Sequence, residues 1–267
     1  MKLACVVVLY HPDREVEKNI QTYLPQVDYL LRWDNTPHNV GIGAALNEGV
    51  RQARAQGCTH LMTMDQDSFF LSGEMARYRT KVEQWEKEHK GQLAIFSTNY
   101  YIRSQRTTLY PDETSVVEVV SAMTSASIYP LELFEKLGLF REDLFVWGID
   151  CEFCWRAARR EIPTLCFRDI LLQHEFGYQK KKHRLLGREV FPNEYPPART
   201  YYNVRNGIIL YRLYPDFLNL KAHLRYHLWK RIVFVLLYEK QKAGKLKALW
   251  RGYRDGMRGK TGPLDSL

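Results

Sequence analysis

HLMTMDQDSFF, residues 60–70, is the stretch on which the reading of the fold turns. The apolar run Leu61 to Met64 stops abruptly in Asp65 and Asp67, with one residue between them. A strand that only fills a core does not usually end in paired negative charge. A strand of a parallel sheet can, because ligands of such sheets sit beyond the carboxyl ends of the strands. The flanking sequence fits. Residues 2–9 are a Val-rich run of the kind found in buried parallel strands, and His11-Pro12-Asp13 breaks it. Residues 14–24 read as a helix capped by Asp13, and residues 27–33 as a second short strand ending in Asp34-Asn35. Residues 39–43 are loop-like. Residues 44–56 have helical periodicity, with Ala45, Leu46, Gly49, Val50 and Ala53 on one side and Gly57 as the stop. After the third strand, 59–64, the pattern predicts a helix over 72–88 and a strand over 93–98.

This alternation predicts an α/β chain with a Rossmann-like, mostly parallel sheet flanked by helices. Three strand ends, at 10–13, 34–35 and 65–68, carry polar residues and are expected to face one crevice. Residues 107–130 are more strand-like and suit antiparallel pairing. A short helix over 131–137 stops at Gly138, another covers roughly 151–160, and the chain from 221 onward is helical, basic and aromatic. The expected division is an α/β domain over 1–215, in two halves that meet at about residue 100. A helical, basic C-terminal extension over 216–267 follows.

The 267 residues are 45% hydrophobic, which suffices for a packed core and excludes a disordered chain. No uninterrupted apolar run approaches the ~18 residues of a membrane span. With no signal-like start, the five cysteines read as free thiols in a reducing, cytoplasmic compartment. The net charge of +9 is uneven. Residues 1–177 hold 19 Lys and Arg against 24 Asp and Glu, while residues 178–260 hold 20 against 5. Such a basic block meets something anionic: phosphate, lipid head groups or nucleic acid.

Asp-x-Asp at a strand end is an arrangement for a hard cation, Mg²⁺ or Mn²⁺, bridged to substrate phosphates. Six segments in order then resemble one family. VVVLYHPD resembles its opening strand and nucleotide-binding turn, and WDNT its second strand end. NVGIGAALNEGV resembles its Asn-x-Gly helix start, and DQDS its metal motif. GLFREDLFVWGIDCEFCWRAARR resembles its acceptor-side segment, and QHEFG its late His-x-x-Gly. The chain is similar in these to the family 2 glycosyltransferases of GT-A fold, and most to their bacterial rhamnosyltransferase branch, over roughly residues 2–206.

The resemblance implies roles. Tyr10, Asp34, Asn47, Asp65 and Arg205 would contact the nucleotide-sugar. Asp67 and His174 would hold the divalent cation, and Asp150 would be the general base of an inverting transfer. Ser125 and Glu152 would line the acceptor side. Ala126 departs from the family, whose pattern is Ser-Gly-Ser where this chain has Ser-Ala-Ser. From position alone Asp150 reads as a helix N-cap and His174 as a packed core histidine. The Lys180–Lys182 run is a solvated loop or a lid over the diphosphate. Cys151 and Cys154 pack together more readily than they bind zinc.

The reading is an inverting, cation-dependent glycosyltransferase. It would move a sugar, rhamnose from dTDP-rhamnose foremost, onto a saccharide or lipid-linked acceptor of bacterial surface polysaccharide. A UDP-hexose or galactofuranose donor is the alternative within the class. A nucleic-acid-binding protein and an inactive binding module are the alternatives outside it, and no nucleic-acid-binding signature is present. The interleaved basic and aromatic tail suits peripheral contact with an anionic membrane surface, packing on the catalytic domain, or a homodimer through the C-terminal helices.

Overall fold

The structure, a computed structural model, describes residues 1–102, 106–111, 115–174, 182–185, 187–190, 192 and 194–264. Lys180, Lys181 and the Glu175–Gly177 part of the QHEFG motif lie outside the described residues.

The apolar runs become strands as expected. β1 (Leu3–Leu9) lies between β2 (Tyr29–Asp34) and β3 (His60–Asp65), all parallel. Register decides what the polar strand ends share: Leu9 is opposite Asp34, and Val8 is opposite Asp65. The two carboxylates therefore flank the carboxyl end of β1. Helix α1 (Val16–Gln21) is shorter than predicted: the chain leaves it at Thr22 and, through an extended φ of −124° at Tyr23, enters a separate 3-10 turn over Leu24–Gln26. The Asp13 carboxylate accepts the Glu15 N–H at 2.9 Å, a local turn upstream of the helix instead of its cap. Helix α2 (Ile42–Ala55) begins two residues earlier than its apolar periodicity suggested.

The sheet continues through β4 (Phe69–Phe70), β5 (Ile95–Ile102), β6 (Thr107–Thr108), β7 (Val116–Glu118), β8 (Ser127–Pro130) and β9 (Thr164–His174). Its order is β2-β1-β3-β8-β5-β9-β4, with β6 on β5 and β7 on β9. β8 is antiparallel to β3 and β5, whereas β9 is parallel to β5. The expected antiparallel character of 107–130 is thus borne out, and the sheet is mixed but mostly parallel in its central strands. Helices α3 (Glu74–Glu88), α4 (Glu132–Leu137) and α5 (Ile149–Ala158) complete this half. Cys5, Val7, Met62, Met64, Phe96 and Phe167 form part of one continuous core. Burying side chains of this size stabilises by roughly 1.5–3 kcal/mol each.

The chain forms two compact units. One is residues 1–141 with 150–176, and the other is 142–149 with 177–267. This differs from the expected division at 215/216. The reason is α6 (Pro197–Leu213), which is buried along most of its length and packs against the last helix of the second unit. That unit also contains strands β10 (His183–Leu185) and β11 (Arg188–Val190), then α7 (Leu220–Leu224), a π-helical turn (Arg225–Trp229), α8 (Lys230–Tyr238) and α9 (Lys242–Met257). α6 and α9 approach closely at Gly252 and Gly256. A Cβ there would lie 2.6 Å from the Tyr201 carbonyl oxygen and 3.0 Å from that of Arg205.

Candidate active site

The DQDS loop is held by hydrogen bonds at Asp65, Gln66 and Ser68. Asp65 ends β3, and its backbone N–H donates to Ser125 Oγ at 3.2 Å. The Gln66 side chain pairs with the Tyr10 backbone on both sides: Oε1 accepts the Tyr10 N–H at 2.7 Å, and Nε2 donates to its carbonyl at 3.1 Å. Asn19 Nδ2 donates to the Gln66 carbonyl at 3.0 Å. The Ser68 N–H closes the turn on the Asp65 carbonyl at 3.3 Å, and Ser68 Oγ meets His174 Nδ1 at 2.8 Å. These bonds join the ends of β1 and β3 to β9, whose last residue is His174.

Asp65, Asp67 and His174 each bring one ligand atom into a group spanning no more than 4.8 Å. His174 Nδ1 is 3.8 Å from Asp67 Oδ1. The histidine is buried, Asp65 half-buried and the Asp67 side chain 55% exposed, so the cluster opens to solvent on the carboxylate side. Oxygen, oxygen and imidazole suit Mg²⁺ or Mn²⁺. An octahedral cation with bonds of about 2.1 Å needs ligands about 3.0 to 4.2 Å apart, and the 3.8 Å between His174 Nδ1 and Asp67 Oδ1 lies in that range. Among the described residues, only this trio of acidic, histidine and cysteine side chains gathers so closely.

Tyr100 stands behind the cluster. Its ring packs edge-on to His174 at 6.1 Å, and its hydroxyl donates to the Ser125 carbonyl at 3.0 Å. Burial above all raises its pKa, and the charges of both Asp65 and Asp150 add to that shift. Asp150 is the second residue of α5, not its cap, and its carboxylate accepts the Cys151 N–H at 2.8 Å. At that position it is also favoured by the helix dipole.

Other sequence-predicted residues fall into two groups. Asp34 is exposed at the carboxyl end of β2; hydrogen bonds from the Thr36 hydroxyl and then its N–H hold the carboxyl below its ordinary range. Tyr10 is exposed just after β1, its ring against His11 at 4.4 Å. The second group turns inward. Asn47 is buried and exchanges two bonds with the Phe140 backbone, at 3.0 and 2.9 Å. Glu152 is buried and pairs bidentately with Arg156, whose guanidinium also reaches the Leu137 and Leu139 carbonyls. Ser125 is buried under Asp65. Arg205 is fully buried within the second unit. It donates to the carbonyls of Leu144 at 3.0 Å and Gly262 at 2.5 Å, and stacks on Tyr202. For Asn47, Glu152 and Arg205 these placements favour a structural role over the expected substrate contact.

Ala126, where the resembled family has glycine, adopts φ +59° and is fully buried. A left-handed backbone is what glycine supplies without strain. The thiols of Cys151 and Cys154 are both pushed up by burial, Cys154 to about 11, which suits packed thiols and not a zinc site. Gln66, Ser68 and Tyr100 were not singled out from sequence. The first two lie inside the DQDS motif, which read as two aspartates. No local pattern marks Tyr100.

No family model matches the chain. It is 26% identical over 241 residues to the dTDP-rhamnosyl transferase RfbF of Shigella flexneri, covering 84% of this chain and 77% of that protein. In structure it is similar to residues 1–349 of S. aureus TarS in complex with UDP-GlcNAc. The TM-score is 0.57 at 12% identity, over 96% of this chain and 81% of the other. The same TarS region in complex with UDP gives 0.55 at 12% identity, over 100% and 94%. These likenesses, with an α/β sheet whose acidic strand ends lie side by side, give the chain a GT-A-type fold and a sequence similar to that of a dTDP-rhamnosyl transferase.

Proposed function

We propose that the chain is a cation-dependent, inverting rhamnosyltransferase of family 2 that uses dTDP-rhamnose. The convergence of Asp65, Asp67 and His174 at the carboxyl ends of β3 and β9 carries the reading, and the similarity to a dTDP-rhamnosyl transferase supports the donor. Asp67 and His174 would hold Mg²⁺ or Mn²⁺, with Asp65 reaching the ribose or a metal-bound water. A cation there would offset the negative charge developing on the diphosphate as it leaves. Asp34 and Tyr10 would contact the nucleoside. Asp150 would accept the proton of the acceptor hydroxyl while its oxygen bonds to the anomeric carbon and the bond to the diphosphate breaks. One base and one displacement give inversion. The acceptor is a saccharide or lipid-linked saccharide, and peripheral contact with the inner face of a membrane belongs to this reading.

Calorimetric titration with dTDP, UDP and GDP, in Mn²⁺ and then EDTA, tests it on wild type and Asp67→Ala. Tightest binding of dTDP, lost with EDTA or in Asp67→Ala, is the expected result. Preference for UDP on the same terms moves the donor to a UDP-hexose or galactofuranose. A folded protein that binds no nucleotide breaks the transferase reading and leaves an inactive binding module.

A further inference from the structure

We propose that the outer face of the helix running from Leu220 to Tyr238 is a docking surface for an anionic phospholipid bilayer. The helix is continuous through α7, the π-helical turn and α8. Its inner side is buried by Leu228, Phe234 and Val235. Its outer side carries Tyr226, Trp229, Val233, Leu236 and Leu237, each 44–63% exposed. The spacing repeats at helical period, so these residues form one stripe instead of scattered apolar positions, which any surface has. A contiguous exposed apolar strip of this kind marks an interaction site.

Charge chooses the occupant. Exposed Lys221, Arg225, Lys230 and Lys240 flank the stripe. Residues 217–254 contain ten Lys and Arg and one acid, Glu239. That acid is buried and already paired with Arg231 and Lys245. Nothing acidic within this stretch offsets the exposed cations. Lys230 lies over the rings of Tyr226 and Phe234, at 4.7 and 5.2 Å, so charge and aromatic surface coincide. A second copy of the chain would set the same basic face against itself, which repels. A nucleic acid would use the cations but leave Val233, Leu236 and Leu237 in water. A bilayer with anionic head groups uses both: phosphates meet the Lys and Arg, and the aliphatic and indole groups enter the head-group boundary. No helix of the described residues is long and apolar enough to cross a membrane, so the helix lies on the surface.

The inference deepens the membrane contact of the transferase reading but uses no residue of the candidate active site. Its test is co-sedimentation of the full chain with vesicles of phosphatidylcholine alone and with added phosphatidylglycerol, without nucleotide. Binding is expected only with phosphatidylglycerol, weakening as salt rises. The pair Trp229→Ser with Leu237→Ser, and separately the triple Lys221→Ser, Arg225→Ser, Lys230→Ser, should each lower partitioning about ten-fold or more. Leu71→Ser, an exposed leucine of the other unit, should leave it unchanged. Thermal transitions equal to wild type exclude misfolding as the cause. Absence of wild-type binding overturns the proposal. So does wild-type-like binding by the Trp229/Leu237 variant, which leaves charge attraction alone. A solution dimer that this variant abolishes, with no vesicle binding, gives the face to a second copy. Nucleotide calorimetry on the same proteins reports on the transferase reading separately.

Discussion

Two polar constellations of this chain look alike in sequence and differ in kind. Asp65, Asp67 and His174 form one within the first unit; Arg205 and Asn206 form the other within the second. In the first, two carboxylates and an imidazole gather with their acidic side open to solvent. Two carboxylates so placed repel each other, and a bound cation would offset that repulsion. In the second, the charge faces inward. Arg205 is bound to Asn206, to the carbonyls of Leu144 and Gly262, and to aromatic faces. The Asn206 amide donates to the carbonyls of Leu144, Val146 and Trp147, at 2.8 to 2.9 Å. Phe145 and Trp147 have φ of +65° and +70°, costly for bulky residues. This second pair therefore holds a strained segment in shape. Convergence of carboxylates on a face open to solvent fits a ligand site, whereas saturation of donors marks a structural one.

The contrast can be broken experimentally, beginning with the largest expected effect. Asp150→Asn should lower kcat by about 10²- to 10⁴-fold in a transferase assay and leave dTDP binding intact. Equal activity would remove Asp150 as base. Arg205→Met should act on folding instead, because it leaves buried carbonyls without donors. A loss of roughly 3–5 kcal/mol in urea unfolding is expected, with unchanged nucleotide affinity in the folded fraction. A loss of affinity with unchanged stability would return Arg205 to the donor site. Ser68→Ala should weaken metal-dependent nucleotide binding about 10- to 100-fold by freeing the His174 ring, an effect read by calorimetry at several Mn²⁺ concentrations.

Smaller effects sharpen the structural side. Burial first, then the charges of His223 and Arg231, lowers the His227 pKa to about 3. The unfolded histidine titrates at the model-peptide value near 6.5, so the unfolded state takes up a proton that the folded state refuses. Stability contributed here is complete above about pH 6.5 and falls below it, by at most about 1.4 kcal/mol per pH unit. His227→Phe should flatten the dependence of Tm on pH between about 6.5 and 4. Ala126→Gly should relieve the left-handed backbone strain, raising stability by up to about 1 kcal/mol in thermal unfolding with activity unchanged.

Much of the fold was legible because its elements are local. The apolar runs of β1 and β3 and the periodicity of α2 and α3 each specify their element within about ten residues of chain. The two aspartates of DQDS were legible for the same reason: negative charge at the end of an apolar run is anomalous without a ligand. Asn47, Glu152 and Arg205 were not, since a polar residue reads the same in sequence whether it faces a substrate or a backbone carbonyl.

By itself, then, the sequence determined the strand–helix order, the acidic strand ends and the basic C-terminal block, because composition and periodicity are properties of neighbours along the chain. The tertiary structure decided the rest. It paired Leu9 with Asp34 and Val8 with Asp65, and it brought His174 to Ser68 across more than a hundred residues. It placed α6 in the second unit through a close approach that only glycine permits at Gly252. These outcomes depend on register and on backbone distance between segments remote in sequence, and neither quantity is written in any local stretch.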